Sequence, residues 1–242
     1  MGKISNFLIL VRYLFVVLSH KLAIIRAGLW VNRQLRGTGY RVSWWRLLKH
    51  DFSKFGCHEL WPYAEFFNAR RPGFKKEDPN HPRDKEAIER RNAAFKQAWK
   101  HHYLHNDHHP EHFVTVLKEK DESGCTIEEM RNNAKRMPEA AVLEMVADSF
   151  GASLGYEGVW PKSGSWIWVT TERLNKLPMR RPSFLTFCAV LCALGFSKDV
   201  SEVFSWNDIQ QCNEFTPEEQ ARLMRLKERA ERNIAREAKK TK

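Results

Sequence analysis

The stretch ISNFLILVRYLFVVLSHKLAIIRAGLWVNRQL, residues 4–35, decides the fold class. Its apolar residues run almost without interruption, which is typical of a helix that other helices enclose. Glycine is scarce, at 12 of 242 residues, and the turn signals of many short strands are missing. The sequence therefore predicts an all-α protein whose first helix is largely buried.

Outward from this helix, the same periodicity predicts further helices along the chain. Five of them cover about residues 44–49, 59–69, 85–106, 182–196 and 216–242. Two more begin at Thr126 and at Pro138. Residues 71–84 are rich in proline and charge and predict a surface loop, and residues 166–169 predict a short strand or an ordered loop. We divide the chain into a helical domain, residues 1–200, and a C-terminal helical extension with a basic tail, residues 201–242.

The charge balance points to anionic partners. The chain carries 40 Lys and Arg against 29 Asp and Glu, a formal net charge of +11. Such a field favours phosphorylated metabolites, nucleic acid or acidic lipid. The excess is spread along the chain and no nucleic-acid-reading module is visible, so nucleic acid is not the favoured partner.

The cysteines and the first apolar run give evidence on the cellular location of the protein. The five cysteines form no CxxC pair and are odd in number, which indicates reduced thiols in an intracellular, cytoplasmic protein. The run from Phe7 to Leu18 is interrupted by Arg12 and is shorter than the ~20 apolar residues of a membrane span. We therefore expect no transmembrane span. Because this stretch lacks acidic residues, a membrane-surface helix or a mitochondrial presequence stays open.

Histidine is concentrated in AWKHHYLHNDHHPEHF, residues 98–113. Six of the ten histidines of the chain lie within the twelve residues 101–112. On a helix, residues three, four and seven apart share a face, which groups His102 with Asn106 and His109. Imidazoles are preferred ligands of zinc, iron and manganese-type divalent ions. The cluster therefore predicts a metal site.

Two further pieces carry carboxylates. In HDFSKF, residues 50–55, adjacent His50 and Asp51 at a helix end can reach one metal ion. Lys54 follows one turn later, where its ammonium could meet a substrate phosphate or carboxylate. Asp148 lies among apolar residues in EMVADSFGAS, residues 144–153, where burying a lone carboxylate would be costly without a partner cation.

The order His20, His50-Asp51, central histidines, Asp148 resembles the HD-domain superfamily of helical metalloenzymes. The three phrases HDFSKF, AWKHHYLHNDHHPEHF and EMVADSFGAS resemble more closely an uncharacterised family of phages and microbes, known only as a domain of unknown function. That likeness runs from about His20 to Phe196. One branch of the HD-domain superfamily, the cyclic-dinucleotide phosphodiesterases, carries a Gly-Tyr-Pro signature. This signature is absent after His109, so the resemblance does not support a cyclic dinucleotide as the substrate.

The resemblance implies an HD-like helical bundle with residues 1–200 as the metal-binding domain and a basic C-terminal helix outside it. It implies one or two divalent ions, Fe, Mn, Co or Zn. Among the central histidines His102 and His109 are favoured, with His101 and His108 as substitutes. The metal ligands are then His20, His50, Asp51, His102, His109 and Asp148, and Asp51 and Lys54 are the catalytic residues.

Three functions follow as hypotheses. The leading one is metal-dependent phosphohydrolysis of a nucleotide or another phosphorylated small molecule, in which bound ions activate water. The second is an HD-type di-iron oxygenase that uses the same ligands. The third is a non-catalytic, metal-stabilised protein that binds nucleic acid or membrane.

The end of the histidine-rich helix receives a prediction of its own. His102 and His109 can both point inward from one helix only if it persists through Asn106. Pro110 disfavours helical geometry at His109. We therefore expect His102 to act from the helix, and His109, or His108 if the chain turns, to act from its end.

Overall fold

A computed structural model describes residues 3–70 and 81–240, and within these residues the chain forms eleven α-helices and no strand. The all-α prediction is confirmed, whereas the HD-like arrangement stays a prediction. The predicted loop lies mostly at residues 71–80, outside the described residues. The helices are α1 (Lys3–Gln34), α2 (Trp44–Lys49), α3 (Leu60–Ala69), α4 (Pro82–His105), α5 (Ile127–Asn132), α6 (Glu139–Ala152), α7 (Thr171–Leu174), α8 (Arg181–Ala193), α9 (Ser197–Val200), α10 (Trp206–Gln211) and α11 (Pro217–Lys240).

The largest core joins four of these helices in series. Helix α6 packs against both α1 and α8, and α8 packs against α11. Helix α8 is buried along almost its whole length, because its sequence RPSFLTFCAVLCA is apolar on every side after the first residue or two. Helix α11 contributes Leu223, Leu226 and Ala230 to this core. The division at residue 200 stays a prediction.

Small residues allow α1 and α6 to approach closely. A Cβ on Gly151 would lie 2.4 Å from Ile24 Cγ1 and 3.0 Å from the Ile24 backbone. A Cβ on Gly155, one turn later, would lie 3.1 Å from His20 Cα. The chain after α6 continues as a π-helical turn, Ser153–Glu157, which also packs against α1. This contact sets the distance between His20 on α1 and Asp148 on α6.

Two smaller clusters complete the interior. Tyr13 and Val17 of α1 pack with Tyr63 and Ala64 of α3, and with Ala98 of α4. A third cluster lies beyond the end of α4, where the short 3₁₀ helices Pro110–Phe113 and Thr115–Lys118 fold back. It contains Tyr103, Val114, Leu117, Met130 and Ala134. These clusters fix α3 and α4 beside α1.

Helix α1 differs from the prediction of an enclosed helix. Only one side of it is buried, and large apolar side chains such as Phe15 and Leu22 are exposed. The helix is long and apolar enough to cross a membrane by length and composition alone, because it continues well beyond Leu18. Continuous apolarity therefore did not mean burial on every side.

Residues 166–169 form turns rather than a strand. Trp166 is buried and its Nε1 donates to Ser153 Oγ at 2.9 Å. This corresponds to the ordered-loop alternative. The bond ties the loop to the π-helical turn next to the histidine cluster.

Candidate metal centre

Asp51 lies at the centre of the site, at a sharp turn between two helical segments. Helix α2 ends at Lys49, and a 3₁₀ helix, Phe52–Phe55, begins after Asp51. Asp51 has φ 56°, the one positive φ of a non-glycine residue in the described ranges. This left-handed backbone is costly for most residues and is tolerated best by Asp and Asn. Strained backbone of this kind concentrates at functional sites.

The first group of ligand atoms consists of His20, His50 and Asp148, which lie within 4.8 Å of one another. Asp148 Oδ1 lies 3.2 Å from His20 Nε2 and 3.4 Å from His50 Nε2. Asp51 also reaches this group, since its Oδ2 lies 3.5 Å from His20 Nε2 and its Oδ1 lies 3.3 Å from His50 Nε2. Three helical segments far apart in sequence therefore meet here.

The second group contains Asp51, His102, His108 and His109, again within 4.8 Å. Asp51 Oδ1 lies 3.2 Å from His102 Nε2 and 3.4 Å from His108 Nε2. The rings of His102 and His109 are 4.9 Å apart between centroids. The carboxylate of Asp51 thus lies between the two groups, with oxygen atoms directed at both.

The donor atoms fit divalent metal ions. Metal–ligand bonds of about 2.1 Å place neighbouring donors roughly 3.0 to 3.4 Å apart, which matches the separations around Asp51. His50 Nε2, His108 Nε2 and Asp51 Oδ1 are buried and have no hydrogen-bond partner among the described residues. Buried polar atoms are otherwise almost always hydrogen-bonded. A bound cation would satisfy all three atoms.

Two buried glutamates orient the imidazoles from outside. Glu144 Oε1 lies 2.9 Å from His50 Nδ1 and 3.5 Å from His108 Nδ1. Glu59 Oε2 lies 2.8 Å from His102 Nδ1. When Nδ1 donates its proton to a carboxylate, Nε2 is left free for a metal, which is the usual outer support of metal-binding histidines.

Further polar contacts hold these supports in place. Arg46 Nε forms an ion pair with Glu144 Oε2 at 2.5 Å, and its Nη2 contacts Asp107 Oδ1. Ser53 Oγ donates to Glu59 Oε2 at 3.0 Å. The side-chain amide of Asn106 donates to Ser53 Oγ at 2.7 Å. These contacts hold both glutamates in place beside the imidazoles.

The carboxylates and His50 stabilise one another's charged forms. Burial alone would raise the pKa of Asp51, but nearby His50 and Lys54 hold it well below the usual value. Burial likewise opposes ionisation of Asp148, yet the imidazoles of His20 and His50 hold its pKa well below 3.8. Burial would lower the pKa of His50, but Asp51 and Asp148 raise it well above 6.5. The two carboxylates therefore favour the protonated form of His50.

The second group contains imidazoles that stay neutral. Burial and the neighbouring His108 and His102 place the pKa of His109 well below 6.5. Burial and nearby His50 also lower the pKa of His108. A neutral imidazole has the lone pair that a metal ion requires.

Lys54 is a buried cation at the edge of the centre. Its Nζ contacts Asp51 Oδ2 and lies 5.7 Å from the ring centroid of Tyr63. Burial opposes its charge, but Asp51 raises the pKa of Lys54 well above 10.5. The ammonium group of Lys54 therefore stays charged beside the first group. Tyr156 stacks on His20 of that group, at 4.8 Å between ring centroids.

A cleft of about 340 Å³ leads to the centre. His109 and Asp148 line it, and Asp148 is 21% exposed at its side chain. The apolar walls of the cleft are formed by Trp99, Met145, Trp168, Leu177 and Phe187. Two exposed cations, Arg173 and Lys176, also line it. Glu111 lines it as well, and burial raises the pKa of its carboxyl to about 7. A larger cleft of about 610 Å³, lined by Arg131 and Arg181, contains none of the candidate ligands.

The structure brings together all six predicted metal ligands and both predicted catalytic residues. These are His20, His50, Asp51, Lys54, His102, His109 and Asp148. It also brings in His108, which was named as a substitute, because α4 ends at His105 and the following turn directs two successive imidazoles inward. The alternative ligand His101 instead contacts Glu59 Oε1 at 2.7 Å and stacks on His105.

The supporting glutamates were not predicted. Glu144 precedes Asp148 by four residues on α6, so the helical face that they share was the available signal. Glu59 gave no such signal, since it immediately precedes α3 and meets His102 only in the folded chain.

Comparison with known proteins gives a family match over most of the chain. The family of unknown function DUF5662 matches residues 11–185, which include every candidate ligand. No curated protein and no solved structure matches the chain. The match agrees with the resemblance to a domain of unknown function and does not show the HD-domain resemblance.

Proposed function

We propose that this chain, which belongs to the family of unknown function DUF5662, is a metal-dependent phosphohydrolase acting on a phosphorylated small molecule. The observation that carries the proposal is the position of Asp51, whose Oδ2 lies 3.5 Å from His20 Nε2 and whose Oδ1 lies 3.2 Å from His102 Nε2, so that one carboxylate contacts both groups of buried ligand atoms. Carboxylates shared between two metal sites are common in enzymes that cleave phosphate esters. The resemblance of the motifs to the HD-domain superfamily supports the same assignment.

Two divalent ions are proposed. His20, His50, Asp51 and Asp148 would hold one, and Asp51, His102, His108 and His109 the other. Iron, manganese, cobalt and zinc all accept this mixture of imidazole and carboxylate. When bound, such ions supply Lewis acidity and a water of lowered pKa. Glu59 and Glu144 keep the imidazoles oriented throughout.

The protein's own residues would bind and orient the phosphate. Lys54 is charged, buried and next to Asp51, so its ammonium is placed to neutralise a phosphoryl oxygen. Preorganised positive charge in a water-poor site stabilises the charge that develops during phosphoryl transfer. The net charge of +11 draws anionic substrates toward the molecule.

The cleft indicates what else the substrate carries. Its walls of Trp99, Met145 and Trp168 suit a flat or apolar group, while Arg173 and Lys176 offer positive charge at its edge. Its volume falls within the range of small-molecule sites. A nucleotide combines an aromatic base with phosphate and fits both features.

The direct test is a screen of phosphorylated metabolites for phosphate release by protein loaded with manganese, cobalt, iron or zinc. We expect turnover that requires metal and that falls roughly a hundredfold in kcat when Lys54 is replaced by Gln. The Lys54→Gln variant must retain its metal for this comparison. His105→Ala is the matched control, since that exposed imidazole lies outside both groups. Fully loaded protein without turnover on any substrate would refute the proposal.

A second candidate is favoured by the number of imidazoles. Five histidines against two carboxylates form a donor set that suits iron. An oxygenase would consume oxygen when anaerobically iron-loaded protein meets a hydroxylated substrate. Oxygen uptake without phosphate release would select this function, whereas metal binding with neither activity would select the non-catalytic binding protein.

A further inference from the structure

The first 50 residues of the chain have a charge composition unlike the rest. They contain nine Lys and Arg and no Asp or Glu, so Asp51 is the first acidic residue. Residues 51–242 carry the other 31 basic residues together with all 29 acidic ones. Nearly all of the net positive charge therefore comes from α1, α2 and their connection.

The same segment exposes a continuous apolar stripe on α1. Phe7, Phe15, Leu18, Leu22 and Leu29 are exposed, with Phe15 and Leu22 at 67% and 69% of their full surface. Their spacing of eight, three, four and seven residues places them on one side of the helix. The stripe is roughly 33 Å long at 1.5 Å per residue. His20 lies on the opposite, buried side.

The apolar surface continues from α1 onto α2. A Cβ on Gly28 of α1 would clash with Leu47, so the two helices touch. The neighbouring side chains face outward and are aromatic or aliphatic, namely Trp44, Trp45, Leu48, Phe52 and Phe55. Of the sixteen large apolar residues exposed in the described ranges, eleven lie between Phe7 and Phe55. We call these eleven residues the N-terminal apolar face.

Exposed cations border this face. Arg12, Arg33, Arg36, Arg41 and Lys49 are exposed, and no ion pair with a described residue involves them. Unpaired basic side chains beside exposed tryptophan and phenylalanine are typical of surfaces that lie in the headgroup region of a bilayer. Each cation would gain from a nearby anionic lipid.

We propose that the N-terminal apolar face binds the surface of an anionic lipid bilayer, with α1 lying parallel to the membrane plane. Large exposed apolar patches mark interaction sites. A second copy of this chain would bring together two apolar faces that belong to a strongly basic segment without acidic residues of its own, which charge repulsion opposes. Nucleic acid complements the charge but leaves the apolar stripe uncovered. An anionic bilayer satisfies both features.

The parallel orientation follows from the other side of α1. That side packs against α3 and α6 and places His20 beside Asp148. A membrane-spanning α1 would have to leave these contacts and remove His20 from the metal centre. Binding through the exposed side leaves the centre intact, so this proposal does not depend on the enzymatic one.

The test is cosedimentation of the full chain with vesicles of phosphatidylcholine alone or with roughly one third phosphatidylserine. We expect binding to the anionic vesicles, reversed by high salt because the charge attraction is screened. Phe15→Ser and Leu22→Ser should each weaken binding about tenfold or more, through lost apolar burial. Lys49→Gln should weaken it about fivefold.

Matched controls lie on α11. Ile234→Ser and Arg236→Gln change an exposed apolar and an exposed basic residue outside the face and should bind like the unchanged protein. Circular dichroism and metal content check that each variant is folded. Absence of binding to anionic vesicles would overturn the proposal, as would a dimer that dissociates in Phe15→Ser. Protein that resists both salt and alkaline extraction would overturn the parallel orientation.

Discussion

Gly155→Ala tests whether the close approach of two helices creates the first group of ligands. The new Cβ would lie 3.1 Å from His20 Cα and 3.5 Å from Ala23 Cβ. Carbon atoms prefer separations of about 3.5 to 4.0 Å, so α1 has to move by roughly half an ångström. Metal sites tolerate about 0.2 Å. The shift therefore separates His20 from Asp148 by more than the site allows.

The expected result is selective loss of metal from the group containing His20. Affinity for that ion should fall about 10- to 100-fold, as when the outer support of a ligand is lost. Overpacking costs about 1–3 kcal/mol and exceeds the 0.5–1 kcal/mol that alanine gains over glycine in a helix. The midpoint of thermal unfolding should then fall by a few degrees, since about 1 kcal/mol corresponds to roughly 2–4 °C in a chain of this size.

The assay is isothermal titration of metal-free protein with manganese, together with a thermal melt of each variant. Gly124→Ala is the matched control, because a Cβ there would have no neighbour within 4 Å. The reasoning is refuted if Gly155→Ala binds both ions with unchanged affinity and melts at the same temperature as Gly124→Ala.

Three further predictions concern the ligands and their supports. His102→Ala should lose one of two bound ions and keep its fold, whereas His105→Ala should lose none; elemental analysis of the purified variants distinguishes them. Glu59→Gln should weaken metal binding about 10- to 100-fold by leaving His102 poorly oriented, and equal affinity in titration calorimetry would show that Glu59 gives no support. Metal affinity should fall as the pH is lowered, because Asp51 and Asp148 raise the pKa of His50 above 6.5 and the ion must displace a proton from a larger fraction of the molecules at low pH. Titrations in buffers of different ionisation enthalpy should therefore report proton release, and a pH-independent affinity would contradict this.

The motifs identified most of the candidate ligands that the structure brings together, because their residues are chemically distinctive. HDFSKF placed His50, Asp51 and Lys54 at a helix end, and α2 does end at Lys49. Asp148 was singled out because a buried carboxylate among apolar residues requires partners, and it has two imidazoles. Polar residues in costly positions were thus the most informative part of the sequence.

The end of α4 was predicted closely, because a helix over about residues 85–106 was expected and α4 ends at His105. Helical spacing grouped His102 with His109, whereas Pro110 predicted that His109 comes from the end of the helix, and His109 does lie beyond that end. The Asn106 side chain donates to the carbonyl of His102 and to Ser53 Oγ, and this bond to a distant segment fixes where the chain turns. The turn brings in His108 together with His109, whereas His108 was expected only as a substitute for His109.

The composition of the sequence could not predict that one side of α1 is exposed. An apolar helix has the same sequence pattern whether protein or lipid covers it. The structure separates the two sides, because His20 and Ile24 are buried while Phe15 and Leu22 are exposed. The sequence shows that no acidic residue precedes Asp51. Together with the exposed apolar side of α1, this absence supports binding to an anionic surface.

The number of ions bound per chain tests most directly whether Asp51 joins two metal sites. Elemental analysis of protein reconstituted with manganese or iron should give two ions per chain. Asp51→Asn keeps a residue that accepts the left-handed backbone but removes the shared charge, and it should retain one ion or none. An unchanged protein that binds fewer than two ions, or an Asp51→Asn variant that still binds two with the same affinity, would contradict the two-site assignment.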